Sequence, residues 1–215
     1  MSLIPQLIPI EANSEYIKNS VLTNAMKMLT ERKLLLKENL DKNIKKITSF
    51  QTDDFIYKVP LEDNIPKDHP HIIIKILNQK ITAVNRSSSI GEFLHQYKHE
   101  QKIVIVKSIN NKARQFVVNS YPYTELFLEK ELMINIIEHI SVPKHEVLSN
   151  EEAESLIEAY NTRKRDMPKI FTTDPIARYY NMQAGQICRI LVISTSMSSL
   201  VLATGKEKVV SVGPG

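Results

Sequence analysis

Cysteine, glycine and long apolar runs are all scarce in this chain, and each scarcity excludes something. Cys188 is the only cysteine in 215 residues. No intrachain disulfide can form, and a reducing, intracellular setting is expected. The five glycines, Gly91, Gly185, Gly205, Gly213 and Gly215, are scattered, so no glycine-rich loop is available to cradle phosphate. No apolar run approaches the roughly 18 residues that a membrane-spanning helix needs, and no membrane association is expected. The opening, Met1 to Ile10, is apolar but holds two prolines and no basic residue, which is unlike a signal peptide. Charge of one sign is also in short supply. The net charge of +4 and pI near 9.0 permit contact with nucleic acid without requiring it.

What is present is ordinary for a soluble globular protein: 42% hydrophobic and 24% charged residues, in a length that fits one large domain or two small ones. Ile17, Val21, Ala25, Met28 and Leu29 recur at helical spacing from about residue 14 to 31, and Leu40, Ile44 and Ile47 form a second stripe. Lys42, Lys45 and Lys46 between them read as a solvated helix face. Strand-like segments follow at Phe55–Val59 and His71–Leu77, separated by a proline- and charge-rich loop from Pro60 to Pro70. Ile90, Phe93, Leu94 and Tyr97 mark a helix, Lys102–Val106 a buried strand, Asn110–Asn119 a helix and Tyr123–Leu128 another strand. Strands alternating with helices predict a mixed or parallel sheet covered by helices. Residues 1–138 are therefore expected to form one α/β domain. Glu131–Ser141 fits either a helix or a strand, and periodicity does not choose between them.

The remainder, 139–215, is punctuated differently. Pro143-Lys144-His145 begins an extended stretch. Ser149 and Glu152 have capping-box spacing ahead of an apolar stripe through Ala153, Leu156, Ile157 and Tyr160. Met167–Ile170 should be extended, and Asp174-Pro175 suits an N-cap followed by the first helical residue. Gly185 marks a turn, Ile187–Ile193 a strand, Ser194–Ser199 a hairpin connection and Leu200–Leu202 the returning strand. No internal repeat or low-complexity tract is visible.

The stretch Asp174-Pro175-Ile176-Ala177-Arg178-Tyr179-Tyr180, continued by Gly185-Gln186-Ile187-Cys188-Arg189-Ile190, resembles the DPVARYYGLKRGQVVKI signature of one RNA polymerase family. Its members are the archaeal H-type polymerase subunit and the fifth subunit shared by eukaryotic nuclear RNA polymerases. Upstream, Glu131–His139 is similar to the family's ELLINITEH, Val142–His145 to its VPKH, Ser149–Tyr160 to its next helix and Pro168–Ile170 to its LPKI. Val21–Arg32 resembles the family's first helix, although Lys33 stands where its glycine is usual. Because archaeal members lack this half, the resemblance implies the eukaryotic-type two-domain form. The implied fold is α/β (α+β overall): a nuclease-like α/β jaw domain over 1–138, then a small two-layer α/β assembly domain over 139–215.

The implied role is that of a non-catalytic polymerase subunit, held to the largest subunit and other subunits, with the jaw beside downstream duplex DNA. The implied assembly residues are Pro143, His145, Pro168, Asp174, Pro175, Arg178, Tyr179 and Gly185. Asn111, Lys112 and Arg114 align with a family loop near that DNA. No catalytic residue, metal, cofactor or small-molecule substrate is expected. The location would be the nucleus for a cellular enzyme, and the cytoplasm or virion for that of a large DNA virus. Two departures stand out. Asn181 replaces the glycine that commonly follows the paired aromatics, and after Ile190 the family's RPSETAGRYVTYR pattern is lost. That leaves the last interface strand in doubt, and Gly205–Gly215 open between native chain and a foreign remnant.

Other chemistries compete weakly. His95 and His99 have a zinc-capable spacing but no third ligand nearby, and read better as solvent-facing side chains. Asp68, Glu100 and Lys102 could form a metal-dependent nuclease site, though acid–gap–lysine is a very common pattern. Cys188 in an apolar strand suits inert packing, and Arg163-Lys164-Arg165 suits solvation more than nucleic acid. A stand-alone nuclease and a free transcription adaptor are the alternative readings.

Overall fold

In the computed structural model, residues 13–49, 55–61, 70–193 and 205–214 are described. The chain divides into two compact units, Met1–Ile134 and Asn135–Gly215; the division expected from sequence fell at 138. The expected loop between Pro60 and Pro70 falls largely outside the described residues, since 62–69 are not among them.

In the amino-terminal unit, α1 (Ser14–Glu31) opens at the Asn13 cap, whose side chain accepts from the Glu15 N–H. It buries Val21, Leu22, Ala25, Met26, Met28 and Leu29. Each of these side chains larger than alanine contributes about 2 kcal/mol on burial. The helix ends where Lys33 adopts φ +60, a left-handed conformation that glycine accepts without the Cβ penalty. Helix α2 (Leu40–Ser49) follows, with only Ile47 buried. Lys42, Lys45 and Lys46 are exposed.

The sheet has the order β1-β2-β3-β4. Strands β1 (Ile56–Pro60) and β2 (His71–Ile81) are antiparallel, while β2, β3 (Lys102–Ile109) and β4 (Thr124–Leu128) run parallel. The parallel strands are joined by crossover helices α3 (Ser89–Gln96) and α4 (Asn111–Ser120), as parallel pairing requires. One face of the sheet packs Ile73, Leu77, Val104 and Val106 against Ile90, Phe93 and Leu94 of α3 and Ala113 and Val117 of α4. The alternate residues Ile72, Ile74, Ile103 and Ile105 are also buried, as expected of strands covered on both faces. The stretch left open between helix and strand is neither over most of its length. A one-turn α5 (Glu129–Leu132) and a 3₁₀ turn at Ile136–Glu138 occupy it, and Ile140 is 98% exposed.

The carboxy-terminal unit has a second sheet of order β5-β7-β8-β6. Its strands are β5 (Lys144–Val147), β6 (Lys169–Phe171), β7 (Ile187–Ile193) and β8 (Gly205–Gly213). Helix α6 (Asn150–Ala159) begins at the expected capping box. Ser149 Oγ accepts from the Glu152 N–H at 3.2 Å, and the Glu152 carboxylate accepts from the Ser149 N–H at 2.8 Å. Consecutive residues of β7 point to opposite faces. Ile187 packs with Ala153 and Leu156 of α6, and Cys188 packs with Ala177 of α7 (Pro175–Tyr179). The sheet thus carries a helix on each face, one layer more than the expected two, because β7 is apolar on both sides.

The expected hairpin connection at Ser194–Ser199 and returning strand at Leu200–Leu202 lie outside the described residues. Strand β7 pairs antiparallel with β5 on one side and with β8 on the other, the latter from Ile187↔Ser211 to Ile193↔Gly205. Gly205–Gly213, left open from sequence, is therefore an integral inner strand. Its alternating Val209, Ser211 and Val210, Val212 supply both faces, and Ser211 and Val212 are buried.

Among the described residues, the most deeply buried charged side chain of the amino-terminal unit is Lys102. Lys102 is 1% exposed, and its Nζ donates to the carbonyls of Glu100 at 2.9 Å, Lys98 at 3.4 Å and Pro122 at 3.4 Å. Burial lowers its pKa from 10.5 to about 8, with the Glu100 charge opposing the shift. Since the folded value lies below the unfolded one, the unfolded chain holds the extra proton between those limits. Stability must then rise with pH across that window. Denaturant titration should show wild type gaining about 1 kcal/mol on Lys102→Met between pH 7 and pH 9; a constant difference would mean that the ammonium keeps its ordinary affinity for a proton.

Candidate partner-binding site

The signature stretch folds into α7, a helix of five residues that cannot persist alone and is fixed by its ends and its packing. Asp174 Oδ1 accepts from the Ile176 N–H at 2.8 Å, and Pro175 fills the first helical position, where no N–H is needed. Ala177 is fully buried and Tyr179 is 4% exposed. The Tyr179 and Tyr180 rings meet edge-on, with centroids 5.3 Å apart at 72°. Asn181 then turns left-handed at φ +51, and the Met182 N–H reaches the Ala177 carbonyl at 2.8 Å, closing the helix as a glycine would. Asparagine is the residue that best replaces glycine in that conformation.

Gly185 has φ +90, and a Cβ there would meet nothing within 4 Å. Conformation, not space, favours glycine at this turn. Its N–H donates to Val212 at 2.8 Å, and its carbonyl accepts from Lys164 Nζ at 3.2 Å. Pro168 is exposed, and its carbonyl accepts the Ser211 N–H at 2.8 Å. Pro168, Asp174, Pro175, Arg178, Tyr179 and Gly185 thus gather around the β6–β8 side of the sheet.

The other two expected residues lie at the opposite edge, on or beside β5. His145 is 8% exposed, and its Nδ1 lies 2.7 Å from the Pro143 carbonyl. A carbonyl can only accept, so Nδ1 carries the proton. His145 and Tyr179 are therefore buried, Pro143, Asp174 and Arg178 are half-buried, and Pro168, Pro175 and Gly185 face solvent. Sequence reasoning missed β8 altogether. It also did not single out Glu146 or Arg189, which sit opposite each other on β5 and β7.

The competing sites resolve by geometry. Arg163 pairs with Asp166 at 2.7 Å and Arg165 approaches the same carboxylate at 3.7 Å, so the basic run is engaged locally. His95 and His99 are exposed, and among the described residues no group of three or more His, Cys, Asp or Glu could hold a metal ion. The Glu100 carboxylate bonds to His71 Nε2, Lys102 is enclosed by carbonyls, and Asp68 lies outside the described residues. In the amino-terminal unit, Asn111 and Lys112 are exposed and Arg114 is half-buried. They occupy the first turn of α4. Asn110 caps this helix, accepting from Ala113 at 2.7 Å and donating to Thr82 at 2.6 Å. The first turn contains no acidic residue.

Two measurements test this local chemistry. Asp174→Ala should lower the stability of the carboxy-terminal unit by about 1 kcal/mol, with Asp174→Ser largely neutral; equal losses would give the carboxylate a role besides capping. Burial raises the Cys188 thiol to about 11, so maleimide at pH 8 should label it only after denaturation.

Comparison with known proteins bears on residues 134–202, which match the family described as RNA polymerase Rpb5, C-terminal domain. DNA-directed RNA polymerase subunit 5 of Acanthamoeba polyphaga mimivirus is 32% identical over 118 residues, 55% of this chain and 57% of that one. Subunit RPABC1 of DNA-directed RNA polymerases I, II and III is 37% identical over 91 residues in Caenorhabditis briggsae, covering 41% of this chain and 43% of that one. Its counterpart in Dictyostelium discoideum is 42% identical over 93 residues, covering 41% and 47%. The matched stretch spans about half the length of these relatives. The family match falls almost wholly within the unit that carries α6, α7 and the β5–β7 pairing, so that unit is similar to the C-terminal domain of RNA polymerase Rpb5.

Proposed function

We propose that this protein is a non-catalytic subunit of a multisubunit DNA-directed RNA polymerase, anchored through residues 135–215 to the largest subunit. The observation that carries the reading is the coincidence of the family match, residues 134–202, with one compact unit. A separately folded module with no metal-ligand cluster among its described residues suits a binding role. The surface-facing Pro168, Pro175 and Gly185, with half-buried Pro143, Asp174 and Arg178, are the proposed contacts. His145 and Tyr179 would hold their shape from beneath. The place of action follows the polymerase: the nucleus in a cell, the cytoplasm or virion for a large DNA virus.

The amino-terminal unit would form the jaw beside downstream DNA. Lys112 lies at the positive end of α4, an arrangement that costs a few tenths of a kcal/mol and that a nearby phosphate would relieve. Contact there would be to the backbone and blind to sequence. A stand-alone nuclease is disfavoured by the enclosure of Lys102, and a free adaptor by the similarity to polymerase subunits.

Affinity purification of the tagged chain, with mass spectrometry of its partners, should recover the largest polymerase subunit in stoichiometric amount; recovery of a monomer would favour the adaptor. In reconstituted enzyme, Lys112→Ala with Arg114→Ala should shorten elongation-complex lifetime equally on all sequences. The salt dependence should become shallower by about one unit per lost phosphate contact. An unchanged lifetime and slope would move the DNA contact to another face of the jaw.

A further inference from the structure

Among the described residues, the carboxy-terminal sheet has two edge strands, β5 and β6, and they differ in what they leave open. In an antiparallel pair, alternate residues turn both backbone groups toward the partner strand. The Leu148 N–H donates to the Ile187 carbonyl at 3.0 Å, which fixes the phase of the β5–β7 ladder. By the register Glu146↔Arg189 and Lys144↔Leu191, the inward residues are Lys144, Glu146 and Leu148. His145 and Val147 therefore present their N–H and C=O groups outward, four backbone groups in line along the edge. The edge β6 is only three residues long, and its Phe171 carbonyl already accepts the Asp174 N–H at 2.9 Å. Resting on the polymerase-subunit reading, we propose that the outer edge of β5 is a strand-addition site for an extended segment of a partner polymerase subunit.

The edge also states what that segment must look like. Val147 and Ile190 are half-buried members of the apolar cluster beneath α7, and an added strand would extend that face with apolar side chains. On the other face Lys144 pairs with Glu146 at 2.7 Å and Arg189 lies opposite Glu146, so alternate residues of the segment should be polar or charged. Main-chain bonds would supply affinity and the alternating side chains specificity. Ile140, 98% exposed shortly before the strand, offers one further apolar contact.

A second copy of this chain is a poor occupant. Two-fold pairing that sets His145 against Val147 of the other copy puts Glu146 directly across from Glu146, and like charges directly opposite are destabilising. Pairing that sets His145 against His145 instead relies on Pro143. Proline has no N–H to give, and the Pro143 carbonyl is already engaged by the His145 ring.

Amide hydrogen exchange on the full-length chain, free and in the polymerase complex purified through its tag, tests the proposal. The His145 and Val147 amides should exchange rapidly in the free chain and at least tenfold more slowly in the complex. Fast exchange in both states, with the polymerase subunits present, would overturn strand addition and leave the subunit assignment standing. Slow exchange already in the free chain at low concentration would mean that the chain covers its own edge. Protection that grows with concentration of the free chain would make the occupant a second copy. Failure to recover any polymerase subunit would remove both the site and the assignment on which it rests. Val147→Pro deletes one outward N–H and none of the β5–β7 bonds. It should reduce recovery of the complex at least tenfold while leaving the circular dichroism spectrum intact, and full recovery would count against the edge.

Discussion

The pairing of β8 with both β7 and β6 is the constraint on which the carboxy-terminal unit depends. Without it β6 has no ladder partner, since its three residues pair only with Ser211, Val212 and Gly213. The same strand end receives the turn that precedes β7: Gly185 donates to the Val212 carbonyl, and the Val212 N–H returns to Gln186 at 2.9 Å. Thr172 donates to Gly213 at 3.0 Å just before α7 begins. Three segments remote in sequence are thereby fixed to one short stretch of backbone, and the exposed Pro168, Pro175 and Gly185 take their positions from it. The surface proposed to meet the polymerase is thus shaped by residues that do not themselves reach solvent.

Most elements were legible in the sequence because their signals are local. The 3.6-residue stripe of α1, the Ser149–Glu152 capping box and the Asp174-Pro175 helix start each satisfy backbone groups within a few residues, and the structure uses them as the spacing implies. The glycine substitutions were visible too, and their physical outcome is clear. Lys33 and Asn181 keep the left-handed turn, at φ +60 and +51, and accept the strain rather than reroute the chain. What the sequence could not show was pairing at a distance. Gly205–Gly213 has β-prone Val209, Val210 and Val212 but no clean alternation, and nothing local says that it returns between β7 and β6. Glu131–Ser141 was ambiguous for the opposite reason, being apolar enough for either regular element while the chain there makes one short helix and a 3₁₀ turn.

Lys102 shows why residue spacing alone is a weak guide to chemistry. Its separation from Glu100 suits an acid–lysine catalytic pair, yet the ammonium is turned inward to three carbonyls at the ends of neighbouring segments. Glu100 spends its carboxylate on His71 and its carbonyl on Lys102. The cluster joins the start of β3 to the connection after α3 and to the turn before β4, all at the amino-terminal ends of the parallel strands. Ligands of such sheets usually bind at the carboxyl ends, where Asn110, Asn111 and Lys112 lie. The buried lysine is therefore a structural tie whose proton affinity has been lowered by its enclosure.

The division of labour among the signature residues bears on how the proposed subunit could diverge and still assemble. Asp174 is committed to a cap, Ala177 to close packing, Tyr179 to the core and Gly185 to a turn, so substitution at these positions acts first on the shape of the unit. Contacts made by main-chain groups impose a different limit. The outward N–H and C=O of His145 and Val147 are the same for any side chain except proline, and persist while the β5–β7 register holds. An interface that combines a rigid turn surface with an open strand edge can therefore tolerate extensive side-chain change beyond its few shape-determining residues. That is consistent with a chain that keeps its signature through Ile190 and loses the family pattern immediately after it. The register of β7 with β8 maintains the geometry there, and side-chain identity along the pair can drift as long as the alternation of buried faces is kept.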